Sequence, residues 1–295
     1  MLKFLSRPAV KLVERYLPDP FIFVLLLTLV AAAAAIGVER QTPLAVMRMW
    51  GDGFWGLLTF SMQMLLVLVT GFMLASSPPV KQLLQRIAGL ARNPGHAILL
   101  VTVVSLAASW INWGFGLVVG ALFAKELARQ VRVDYRLLIA SAYSGFVVWH
   151  GGLAGSIPLT IATDDHFLAE QMGLIGTGST IFAFFNLAIV ACLFIAVPLV
   201  NRAMLPDEKE SVYVDPKLLE EVEPVSRARI TRPAERLENS TTLAWLVGIP
   251  GLIFLVDYFL LRSGGLNLNV VNFMFLFLAI VLHRTPRNLL NSLNE

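Results

Sequence analysis

The side chains with chemistry to offer gather in two short glycine-rich segments set in apolar surroundings. The first is Ser109-Trp110-Ile111-Asn112-Trp113-Gly114-Phe115-Gly116; the second runs from Trp149 through His150-Gly151-Gly152-Leu153-Ala154-Gly155 to Ser156, with Thr160 one turn beyond. Ser109, Asn112, Ser156 and Thr160 can hydrogen-bond a ligand, and glycines let backbone come close to one. A helix restarting after either segment aims free N–H groups and the positive end of its dipole at the break, which attracts an anion. Trp113 and Trp149 add flat apolar faces. The competing structural readings are close helix packing for the glycines and an interfacial belt for the tryptophans. His150 is the one ionisable side chain in the middle of a predicted span, which marks it for proton coupling, against a neutral hydrogen-bonded role. Bond-breaking chemistry finds no support: the spans hold no HExxH, no nucleophile elbow and no carboxylate pair. The lone cysteine, Cys192, lies in an apolar run and rules out a disulfide framework or a CxxC metal site. No enzyme, metal site or cofactor is expected.

These segments need elements that tolerate a bilayer. Hydrophobic residues make up 57% of the chain and the mean hydropathy is +0.72, outside the soluble globular range. Several separate runs approach or exceed the length of a transmembrane helix. The net charge of +3 comes from residues beside those runs, so it reports topology and not nucleic-acid binding. The expected fold is all-α and polytopic, with about six transmembrane segments, a re-entrant helical hairpin over 97–124 and a broken helix over 137–162.

The hairpin follows from charge. Residues 97–124 carry none, yet Lys81, Arg86 and Arg92 precede them and Lys125, Arg129, Arg132 and Arg136 follow. Short loops rich in Lys and Arg stay on the cytoplasmic side, so the stretch must enter the membrane, turn at Ser109–Gly116 and come back. Each arm is then about 12 residues, roughly 18 Å of helix, too short to cross the hydrocarbon. With the amino terminus inside, only Arg40, Arg48 and Arg262 of the 23 Lys and Arg fall outside. Letting 97–124 cross and folding 137–162 back instead places more positive charge outside.

The chain divides on this reading into a basic interfacial helix (1–19), a first repeat unit (20–200), a cytoplasmic loop (201–240), a linking transmembrane helix (241–266) and the start of an incomplete second unit (267–295). Asp19-Pro20 opens the first span as N-cap and first helical residue, and the second is expected from about Phe54 to Ala75. Arg40-Gln41-Thr42-Pro43 follows the first span and His283-Arg284-Thr285-Pro286 the last. In this topology the two motifs lie on opposite sides, as in an inverted repeat. Gln63 and Asn186 are read as helix-packing hydrogen bonds.

Leu17-Pro18-Asp19-Pro20, Met49-Trp50-Gly51-Asp52-Gly53-Phe54-Trp55, Ile111-Asn112-Trp113-Gly114-Phe115-Gly116-Leu117-Val118-Val119-Gly120-Ala121 and Asp215-Pro216-Lys217-Leu218-Leu219 together resemble the bacterial short-chain fatty acid transporter family, over essentially the whole chain. That resemblance implies a secondary transporter moving small monocarboxylates such as acetoacetate or butyrate across the bacterial inner membrane, coupled to H+ or Na+. It also implies a chain truncated before its second half, because members continue into a second hairpin and broken helix. By analogy the family is similar to ion transporters with paired hairpins and elevator-like movement. A small carboxylate with a short apolar tail would be bound by Ser109, Asn112, Trp113, Gly114, Gly116, Trp149, Gly151, Gly152, Gly155, Ser156 and Thr160. The family pattern has glycine where His150 stands. The expected partners are that carboxylate and the lipid bilayer, with a homodimer left open and no nucleic acid. The competing readings are a non-transporting fragment or assembly partner of a split transporter, and an anion channel.

Overall fold

A computed structural model describes residue 15, residues 17–219 and residues 232–293. The expected interfacial helix over 1–19 lies almost wholly outside the described residues, as does part of the 201–240 loop. Every regular element among the described residues is helical, and six helices are long and apolar enough to cross a membrane. The chain is thus a multi-pass, all-α membrane protein. Residues 1–59 and 60–295 form separate compact units.

In the first unit, α1 (Pro20–Gly37) starts as its sequence dictates: Asp19 Oδ1 accepts from the Phe21 N–H at 2.8 Å, with Pro20 in the first turn. No residue of α1 is buried, and a helix apolar all round suits lipid. The connection after it holds a helix that the sequence reading left out, α2 (Pro43–Gly53), capped by Thr42, whose Oγ1 accepts from the Ala45 N–H at 3.2 Å. The second span therefore begins later than Phe54, as α3 (Leu58–Ala75). A turn closed by Gly56 N–H on the Gly53 carbonyl at 2.9 Å fills the gap.

In the second unit, α4 (Pro78–Ala88) leads to the hairpin, α5 (Pro94–Ile111) and α6 (Trp113–Gln130). The arms run antiparallel, Gly116 lying on Ser109 and Gly120 on Ser105. The open ends meet, since Asn93, Pro94 and Gln130–Val133 line one cavity of about 690 Å³. Each arm has 18 residues, roughly 27 Å, longer than the sequence suggested. The absence of charge marks hydrocarbon and not helix ends. Asn93 Oδ1 caps α5 by accepting from the His96 N–H at 2.9 Å, before the uncharged stretch begins. At the other end α6 continues past Lys125, with Glu126 and Arg129 paired at 3.0 Å. Ile98 and Val101 of α5 pack with Phe123 and Leu127 of α6 as a buried core.

The broken helix is present as α7 (Tyr135–Ser144), a 3₁₀ segment (Gly145–Gly151) and α8 (Ser156–Ile161). Asp134, buried, caps α7 and also fixes the loop that follows the later span, accepting from the Leu137 N–H at 2.9 Å, the Val212 N–H at 2.7 Å and Arg136 at 2.8 Å. Burial alone would raise its pKa. The hydrogen bonds from Arg136, Val212 and Leu137 outweigh that and hold the carboxyl below its ordinary range.

After α9 (Ala169–Met172) come α10 (Phe184–Ala203), α11 (Pro233–Glu238), and α12 (Thr241–Val256) with a π-helical turn at Asp257–Leu261. Last are α13 (Leu268–His283) and α14 (Pro286–Leu293), bent by 115°. Thr285 Oγ1 caps α14 by accepting from the Asn288 N–H at 3.2 Å, as Thr42 caps α2. Both caps follow a left-handed residue, Arg40 at φ 51° and Arg284 at φ 64°. The left-handed residue lies two positions before the cap in the first motif and directly before it in the second, so the two Thr-Pro motifs share the cap alone. Gln63 and Asn186 pack as expected: Gln63 donates to Asn269 Oδ1 at 2.9 Å and Asn186 donates to the Gly151 carbonyl at 3.0 Å.

Candidate functional site

Asn112 reverses the chain by itself. Its backbone is extended, φ −156° and ψ 127°, its N–H closes α5 on the Ala108 carbonyl at 2.9 Å, and its Oδ1 opens α6 by accepting from the Phe115 N–H at 2.9 Å. Asparagine suits the position because one amide both caps a helix and leaves an NH₂ over. That Nδ2 is buried and has no hydrogen-bond partner. Around the tip, three glycines replace side-chain contact with backbone contact. A Cβ on Gly71 of α3 would stand 2.4 Å from the Phe115 nitrogen, and one on Gly114 would stand 2.8 Å from the Val67 carbonyl oxygen. One on Gly116 would meet Ser109 backbone at 2.4 Å.

The second segment is fastened to the same tip. Past the 3₁₀ segment, Gly152 is extended, φ −98° and ψ 175°, and the Leu153 N–H donates to the Trp110 carbonyl at 2.6 Å. This bond satisfies one of the carbonyls that the end of α5 leaves open. A Cβ on Gly152 would fall 2.3 Å from that oxygen. Asn186 of α10 steadies the break by donating to the Gly151 carbonyl at 3.0 Å. Gly155 must lack a side chain because its Cβ would lie 2.5 Å from the His150 carbonyl.

The two segments identified in the sequence thus touch. Trp113 stands edge-on to Trp149 at 5.8 Å and 76°. The indole N–H groups of Trp110 and Trp113 and the Ser156 hydroxyl are buried without partners, like the Asn112 amide. Indole N–H and amide NH₂ groups only donate. Each such buried donor left unpaired costs about 1–3 kcal/mol, a cost that an acceptor at the tip, such as a carboxylate with its two oxygens, would relieve. Other candidates are placed differently. Thr160 spends its hydroxyl on the Ser156 carbonyl at 2.6 Å. Ser109 is buried beneath Gly116. His150 is exposed, its ring 3.7 Å from that of Trp149. The helix after the break, α8, has only six residues and a correspondingly weak dipole.

Sequence reasoning missed Gly71 and Phe146. A glycine within an apolar span, as in Thr70-Gly71, was the available signal for close approach. Phe146, which contacts Trp113 and Trp149 at ring-centroid distances of 6.3 and 4.9 Å, gave none, since that placement depends on the 3₁₀ winding. Among the described residues no group of three His, Cys, Asp or Glu side chains could hold a metal ion.

The family described as short chain fatty acid transporter matches residues 1–295. A protein of Escherichia coli named as a short-chain fatty acid transporter is 45% identical over 289 residues, covering 97% of this chain and 66% of that protein. One of Haemophilus influenzae with the same name is 42% identical over 297 residues, again 97% and 66%. The chain spans slightly less than two thirds of the length of these relatives. No solved structure matches the chain.

Proposed function

Since the chain belongs to the short chain fatty acid transporter family, we propose that it is a secondary transporter of small monocarboxylates in the bacterial inner membrane, with its amino terminus cytoplasmic. The carboxylate sits at the meeting of the hairpin tip and the broken helix, against Asn112 and Trp113, with Ser156 and the Gly151–Gly155 backbone beside it. The short tail lies against Trp113 and Trp149. One observation carries this reading: four buried hydrogen-bonding groups at the tip have no partner, and three of them can only donate. A cation or a neutral hydrocarbon would leave those donors unmet. The names of the two relatives point to the same substrate class.

Transport is coupled to H+ or Na+ in this reading. The chain forms the first unit of an inverted repeat, a relation supported by the shared Thr-Pro caps. A homodimer is the proposed assembly. Counterflow of labelled butyrate or acetoacetate in proteoliposomes tests the function. A carrier accelerates exchange when unlabelled acid is trapped inside, a channel does not, and a fragment gives no uptake.

A further inference from the structure

From Gly145 to Gly151 the backbone winds three residues per turn, so side chains fall into three straight rows. Burial repeats with the same period over the first six residues: Gly145 and Val148 are buried, Phe146 and Trp149 half-buried, Val147 and His150 exposed, while Gly151 at the end is half-buried. The buried row seats on the hairpin, where a Cβ on Gly145 would stand 2.5 Å from the Ser105 Cβ. The half-buried row is aromatic, and the exposed Tyr143 of α7 extends it outward. Tyr143 stacks on Phe146 at 6.0 Å and 27°, and Phe146 on Trp149 at 4.9 Å and 20°. Trp113 meets this row edge-on, 6.3 Å from Phe146 and 5.8 Å from Trp149. An α-helix turns residues three apart by about 60° relative to each other, and such a stack would fan out. The 3₁₀ winding aligns the rings into a ladder leading to the indole whose N–H lacks a partner.

We propose that this ladder is the acyl-chain wall of the transport site and that Phe146, its middle rung, sets the chain length accepted. The proposal rests on the carboxylate reading above. With the head group held by the Asn112 and Trp113 donors, two apolar surfaces meet Trp113: a closed core around Val67 and Leu159, and the ladder, whose Phe146 and Trp149 are only half-buried. A short tail ends against Phe146, while a longer one collides with it.

The test is counterflow of butyrate and hexanoate in proteoliposomes carrying the wild type, Phe146→Ala, Phe146→Leu or Val147→Ala. Phe146→Ala should raise the hexanoate-to-butyrate ratio by about fourfold for each methylene newly accommodated, the factor that burial of one CH₂ carries. Phe146→Leu should shift it less, and Val147→Ala, on the exposed row, should keep the wild-type ratio. A ratio does not depend on how much protein folds, and Phe146→Leu decides the matter if the alanine variant fails to insert. Wild-type counterflow with the same ratio in both Phe146 variants would overturn the ladder's role, as for rings that meet only lipid, and leave the carboxylate site standing. No counterflow of either acid by the wild type would overturn both.

Discussion

At Asn112 and at Arg284 the chain changes direction abruptly, and the two breaks are completed differently. At Arg284 the bonds that shape the bend run within the protein: Thr285 caps α14, Asn288 donates to the His283 carbonyl at 3.0 Å, and the His283 Nε2–H donates to the Met73 carbonyl at 2.7 Å. At Asn112 the helix ends are capped just as well, yet the Nδ2 of Asn112 and the indole N–H groups on either side have no acceptor. Buried polar groups are nearly always paired, and in the proposed function the substrate completes the pairing at this break. The bend at Arg284 is internal architecture, and the reversal at Asn112 is where the substrate is proposed to bind.

This distinction can be broken or sharpened by substitution. The largest effect is expected at Gly152, where the tip and the broken helix touch. Gly152→Val drives a side chain into the Trp110 carbonyl, costs about 1–3 kcal/mol of packing strain, and should abolish uptake while lowering the Tm. An unchanged Tm would mean that the two segments are not fastened together. Asn112→Ser comes next: serine caps a helix as well as asparagine does but removes the spare amide. Losing a hydrogen bond to a charged group, about 1.5–3 kcal/mol, should weaken butyrate uptake at least tenfold with little change in Tm. Parallel losses of stability and uptake would reduce Asn112 to a cap. Thr285→Ala should behave in the opposite way, lowering stability by about 1 kcal/mol and leaving butyrate affinity intact. A changed affinity would erase the difference between the breaks. The smallest effect is expected for His150→Gly, which alters an exposed position. Uptake and its pH profile should persist, and a flattened profile would return His150 to proton coupling.

Much of this was legible from residue types. Basic flanks around an uncharged stretch announced the reversal, and Asn112 among Gly114 and Gly116 located it. Asp19-Pro20 announced its cap, because capping is local chemistry, whereas the caps at Thr42 and Thr285 were seen only as a repeated motif. Arm length was not legible, since Lys125 and Arg129 continue α6 beyond the last uncharged residue. The bond from Leu153 to Trp110 was hidden too, for it joins segments far apart in the chain. So were the three rows of the 3₁₀ segment, where Gly145 pressed against Ser105 replaces the period that an α-helix would have imposed.

The reversal at Asn112 underlies the rest, and sided labelling tests it without any assay of transport. Single cysteines at the exposed positions Arg92 and Gln130, in a Cys192→Ser background because Cys192 is itself exposed, would be treated in sealed vesicles with a membrane-impermeant maleimide. Both should react from the same side of the membrane. Reaction from opposite sides would mean that the chain crosses once through Asn112 and that no hairpin tip exists to gather the unpaired donors.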